Sequence, residues 1–148
     1  MLLVLAVIAG CVGLVRWVQL GFLVVTVAGT SMAPAYLPGD RVLVRRRRLI
    51  RVRAGEVVVL RSPSDRVVHP LMVKRVAAVP GEPVPVELAD APCGPLVTPV
   101  PMDRLLVLGD NSRVSFDSRE CGYIRSEHLV GVVTRRLATG RPSRKVMS

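Results

Sequence analysis

The chain has 148 residues, 50% of them hydrophobic but only 3% aromatic, and carries a formal net charge of +10. That length suits one domain with a modest core, and the valine- and leucine-rich apolar content with twelve glycines and twelve prolines points to short strands and many turns. The positive charge calls for an anionic partner. Nucleic acid is excluded as that partner by the scarcity of aromatic stacking platforms and the absence of helix-turn-helix or zinc-finger patterns.

Residues 1 to 15, MLLVLAVIAGCVGLV, contain no charged side chain, and Arg16 and Trp17 follow. A membrane span needs about 20 apolar residues. A helix over 1–21 meets this when Arg16 snorkels and Trp17 sits at the interface. A cleavable signal peptide lacks its basic n-region here, and the lipoprotein-like IAGC comes too early, so a retained anchor is expected. Arg16 and the arginines at 45–48 lie on the same side of that span, so charge alone leaves its orientation undecided.

The next segment, FLVVTVA, reads as the first strand of a domain spanning 22–138. GTSMAPAYLPGD then places Ser31 in a loop between this strand and RVLVR (41–45), which alternates as a half-exposed strand should. The run RRRRLIRVR (45–53) is a solvated hairpin or, beside a bilayer, a site for anionic headgroups through Arg45, Arg46, Arg47 and Arg48. EVVVL (56–60) is continuously apolar, as in a strand buried on both faces. VVHPLMVKRVAAV (67–79) is another strand, interrupted by Pro70, and residues 82–103 form a proline-rich loop or irregular hairpin. LLVLGDN (105–111) runs from strand into turn, LVGVVTRRL (129–137) is the last strand, and 139–148 is a disordered tail.

A serine nucleophile needs a base. His69 precedes a proline and His128 follows Glu127, and neither has a motif around it. Lys74 stands inside an apolar strand, where desolvation lowers a lysine pKa and a neutral amine can act as general base. Alternation puts Lys74 and Arg75 on opposite faces. From the residues alone, a snorkelling lysine on an edge strand stands ahead of a Ser/Lys pair. Cys93 and Cys121 pair if the domain faces an oxidising compartment, with two buried free thiols the favoured alternative.

SMAPAYLPGDRVLV, VKRVAAVPGE and GDNSRVSFDSRECG resemble, in that order, the three boxes of the type I signal peptidases, membrane-anchored Ser/Lys endopeptidases. The match runs from Thr26 to about Val133. It implies a mostly β fold, a coiled sheet or small β-barrel behind one N-terminal transmembrane helix. It also implies that Ser31 is the nucleophile and Lys74 the base, followed by Arg75 as in the family's lysine-arginine pair. Gly109, Asp110 and Asn111 match the opening of the third box, Ser115 the serine that supports the amine, and Asp117, Ser118 and Arg119 the closing triplet. Gly29, Thr30 and Met32 are implied as substrate-binding neighbours of Ser31, and no cofactor or metal is implied.

Two departures stand out. Gly29 replaces a serine whose hydroxyl helps hold the oxyanion in many bacterial members, and SRV stands where longer members have RDN. The short interval between Lys74 and Gly109 is similar to that of mitochondrial inner-membrane proteases and nickel superoxide dismutase maturation peptidases. The resemblance implies removal of signal or leader peptides from precursor proteins, by a domain on the outer face of the cell membrane. A dedicated peptidase for one precursor and an inactive membrane-anchored binding module are the alternatives. The self-cleaving repressors share the Ser/Lys pair but carry a DNA-binding helix-turn-helix, which this chain lacks.

Overall fold

Six short strands are expected where β-branched residues recur between Gly and Pro turns. The computed structural model describes residues 21–63 and 70–139, and these contain those six strands and one more, of two residues. They are β1 (Phe22–Thr26), β2 (Arg41–Arg45), β3 (Val57–Arg61), β4 (Leu71–Ala78), β5 (Arg104–Leu108), β6 (Ile124–Arg125) and β7 (Leu129–Ala138). One four-residue helix, α1 (Ser118–Cys121), lies between β5 and β6. The strands form a curled antiparallel half-barrel in the order β1-β2-β7-β3-β4-β5-β6.

The expected alternation of β2 is present, with Val42 and Val44 buried between exposed Arg41 and Arg45. β3 is buried from Val57 through Leu60, as its unbroken apolar run requires. Its two faces feed two cores. Val58 and Leu60 pack with Met72, Val76, Leu105 and Val107, while Val57 and Val59 pack with Val25, Val42, Val44 and Met32. Residues 82–103 behave as both a loop and an irregular hairpin. Gly81 N–H donates to Val100 O at 2.9 Å and Val100 N–H to Glu82 O at 2.8 Å, closing its base. From inside that closure, Leu88, Ala91 and Val100 cover Ala78 and Leu106 in a third core.

β4 starts just after Pro70, while residues 67–69 of the expected run, His69 among them, lie outside the described residues. The anchor expected over 1–21 lies outside them too, apart from Gly21, as does the tail from residue 140. Among the described residues no helix is long and apolar enough to cross a membrane. Cys93 and Cys121 are free thiols, and Cys93 is exposed rather than buried. The Cys121 thiol donates to Asp117 O at 3.1 Å, and burial pushes its pKa up to about 11.

Leu60 is 0% exposed and Ile50 is 86% exposed. Leu60→Ala is expected to cost about 2–5 kcal/mol through lost transfer energy and a residual cavity. Ile50→Ala should change stability by less than about 0.5 kcal/mol. Urea denaturation followed by circular dichroism checks the contrast.

Candidate active site

Between β1 and β2 the chain makes a closed excursion. Val27 N–H donates to Asp40 O and Gly39 N–H to Val27 O, each at 2.8 Å, so residues 27–40 leave and rejoin the sheet at one point. Ser31 is carried on this loop, half-buried, and Met32 anchors it, being 1% exposed within the core of Val25, Val42 and Val44. A methionine directly after Ser31 thus fixes the serine from below. Thr30 is exposed. Gly29 is exposed too, with φ +83°, and a Cβ there would meet nothing within 4 Å. The glycine answers to backbone conformation rather than to space.

Lys74 is placed by β4, between Met72 and Val76 on the strand's inner face, and is 3% exposed. Arg75 takes the opposite side, as alternation requires, and its guanidinium reaches Asp110 through two bonds of 2.8 and 2.7 Å and Gly55 O through a third of 2.9 Å. The lysine is not a snorkelling edge residue. β4 has β3 on one side and β5 on the other, and Lys74 Nζ points inward to donate to Ser115 Oγ at 2.9 Å. Ser115 in turn donates to Asp117 Oδ2 at 2.6 Å.

Asp117 is 0% exposed, and a buried carboxylate is stable only when its oxygens are paired. Gly109 N–H (2.8 Å) and Arg119 Nη2 (2.6 Å) join Ser115 on Oδ2. Oδ1 accepts from Arg119 Nε at 3.0 Å and Arg119 N–H at 3.2 Å. Desolvation opposes ionisation, but the bonds from Arg119, Ser115 and Gly109 outweigh it and hold the pKa below the ordinary carboxylate value. Asp117 also opens α1. Its backbone N–H donates to Glu120 Oε2 at 3.0 Å, completing a capping box.

The Lys74 amine responds mainly to burial, which lowers its pKa. Asp117 pulls the other way through its charge, and Arg119 offsets part of that pull. The net direction is down, toward a neutral amine.

Gly109 brings the serine loop to this cluster. A Cβ at that position would lie 2.1 Å from Ser115 Oγ and 2.7 Å from Ser31 O, so only glycine lets the two segments meet. Asn111 then secures the loop, donating its backbone N–H to Ser31 O at 2.9 Å and its side-chain Nδ2 to Thr30 O at 3.3 Å.

Ser31 and Lys74 line one groove of about 480 Å³. Consecutive residues from Leu23 to Met32 line it, together with Pro70 to Lys74, Val114 and Phe116. Sequence reasoning missed several of these parts. Val114 and Phe116 flank buried Ser115 as exposed neighbours, a two-residue alternation too short to notice. Ser118 is marked by the resemblance as part of the closing triplet, but its contact is not: buried completely, it accepts from Val107 N–H at 2.9 Å and ties α1 to β5. His128 and Arg45 to Arg48 line none of this groove.

The sequence profile described as "Signal peptidase, peptidase S26" matches residues 1–91 and 89–138. This places the chain within a class of serine-type peptidases. The chain belongs to the signal peptidase family, peptidase S26. It is 28% identical to "Signal peptidase I V" of Bacillus subtilis (strain 168), over 86% of this chain and 94% of that protein. It is 31% identical to "Probable signal peptidase I-2" of Synechocystis sp., over 71% of this chain and 58% of that one. Against "Mitochondrial inner membrane protease subunit 2" of Schizosaccharomyces pombe it is 32% identical, over 76% and 60% respectively.

Gly109→Ala should displace Ser115 and the Ser31 loop and cost about 1–3 kcal/mol by overpacking, measurable as a shift of the denaturation midpoint. Asp117 supplies a pH test. Its folded pKa lies below the ordinary value of 3.8, so its stabilisation is complete above that value and is lost as pH falls through the folded one. Unfolding free energy measured against pH should show this acid loss in the wild type and a shallower one in Asp117→Asn.

Proposed function

We propose that the chain is a membrane-anchored endopeptidase that removes N-terminal signal or leader peptides, with Ser31 as nucleophile and Lys74 as general base. The observation that carries this reading is a buried lysine with a lowered pKa, held by Ser115 in the groove that Ser31 also lines. A neutral amine that donates one hydrogen to Ser115 keeps a lone pair for the Ser31 hydroxyl.

Ser31 Oγ attacks the peptide carbonyl while its proton passes to Lys74 Nζ. The tetrahedral intermediate collapses, the ammonium returns the proton to the leaving amine, and an ester to Ser31 remains. Water, deprotonated by the same amine, hydrolyses that ester. With Gly29 offering no hydroxyl, the Ser31 N–H carries more of the oxyanion stabilisation, a contribution that elsewhere is worth about 10²–10³ in rate per donor.

The groove suits an extended peptide. Because consecutive residues of β1 line it, the strand presents its backbone edge there, and among the described residues β1 ends the sheet with that edge unpaired. A substrate strand can add to it. Val24, Val25 and Val27 then leave shallow apolar space for small side chains near the cut. The anchor over 1–21 and an outward-facing domain belong to this proposal, as do precursor proteins as partners. A dedicated peptidase for one precursor would use the same site on a narrower substrate. An inactive binding module would have no use for the buried amine and its polar relay.

Cleavage of a precursor with an Ala-x-Ala site by the detergent-solubilised protein is the test. Ser31→Ala and Lys74→Ala should each lower kcat by about 10³-fold or more. In the wild type kcat/KM should rise with pH as Lys74 loses its proton, on a limb below the ordinary lysine value of 10.5. Activity that survives in Lys74→Ala would sink the proposed base.

A further inference from the structure

The arginine run lies at the far end of β1 from Ser31, and the register of the sheet fixes its neighbours. Arg45 stands opposite Phe22, with its guanidinium 5.9 Å from the ring centre, and Arg46 N–H donates to Gly21 O at 2.9 Å. Gly21 is the residue at which the apolar leader of the sequence gives way to the domain.

Six arginines from Arg45 to Arg53 surround a concavity of about 770 Å³, and among the described residues no carboxylate lines it. Among the described residues Glu56 alone pairs with any of them, through Arg47 at 3.1 Å. Arg46, Arg48, Arg51 and Arg53 are exposed with no acidic partner among those residues. Leu49 is buried beneath the short turn Leu49–Arg51, whereas Ile50 projects from it at 86% exposure. Next to it, Ile50 and the exposed Met102 line a mixed groove that also holds Leu49, Val52 and Leu129 and the carboxylates of Asp103 and Glu127. An apolar side chain among unpaired guanidiniums matches an interface of acyl chain and anionic headgroup. Guanidiniums also bind phosphate oxygens through paired N–H donors.

We infer that Arg46, Arg48, Arg51 and Arg53 form a collar that docks this end of the half-barrel on anionic lipid headgroups, with Ile50 inserted as its apolar anchor. The collar lies beside Gly21, so docking holds the domain upright over the exit of the leader and fixes how the groove faces the bilayer. This rests on the membrane reading of the leader given above.

The test uses the full chain reconstituted in vesicles of phosphatidylcholine alone or with phosphatidylglycerol, followed by amide hydrogen exchange. Residues 46–51 should exchange several-fold more slowly in the anionic vesicles. High salt should remove that protection, and so should the combined substitutions Arg46→Gln, Arg48→Gln, Arg51→Gln and Arg53→Gln. These variants should cleave a soluble peptide in detergent like the wild type, since none of the four lines the groove.

Equal exchange in the two lipids, with the chain incorporated, overturns the collar and leaves the peptidase reading untouched. A chain that fails to incorporate overturns both the anchor and the collar. Protection of 46–51 by a DNA duplex at physiological salt, and not by anionic vesicles, overturns the lipid assignment in favour of nucleic acid.

Discussion

Asp117 is a carboxylate with no access to water, and the geometry of the site follows from how its two oxygens are paired. Five hydrogen bonds reach it, from Ser115, Gly109 and Arg119. Each bond to the charged form stabilises ionisation against burial, and together they outweigh it. The same bonds fix Ser115, whose hydroxyl faces Lys74, and the backbone at Gly109, against which the Ser31 loop rests. Three segments far apart in sequence are therefore positioned by one buried anion.

That anion also sets the electrostatics of the lysine. A bare carboxylate near Lys74 would favour the ammonium form and spoil a base. Arg119 counters this, pairing with Asp117 through two side-chain bonds and itself lowering the Lys74 pKa. Burial then decides the direction, and the amine shifts toward neutrality. The arrangement gives Asp117 a structural role in holding Ser115 while muting its charge at Lys74. The fold supplies the burial, since β3 and β5 enclose β4 on both sides.

Much of this was legible in the sequence because valine-rich runs and turn residues state their strands clearly. RVLVR alternates and EVVVL does not, and the two strands are respectively half-exposed and enclosed. The opposite faces of Lys74 and Arg75 followed from the two-residue period. What stayed hidden was set by contacts between distant segments. β6 has two residues and α1 four, too short for any periodicity; β6 exists through its pairing with β5, and α1 through the Asp117 cap and the bond of Ser118 to Val107. The need for glycine at 109 is invisible in one dimension, since it arises from Ser115 and Ser31 approaching the same point. Burial of Lys74 was the least readable feature. A lysine in an apolar strand fits an edge as well as a centre until the neighbouring strands are known.

Burial lowers the Lys74 pKa toward the neutral amine, and the residue's own titration tests this most directly. The sequence contains two lysines, Lys74 and Lys145. Protein labelled with carbon-13 at lysine Cε therefore gives one site signal and one internal comparison in a pH series by nuclear magnetic resonance. The Lys74 signal should titrate below the ordinary lysine value of 10.5 and apart from the second signal. Two signals titrating together in the ordinary lysine range would contradict it.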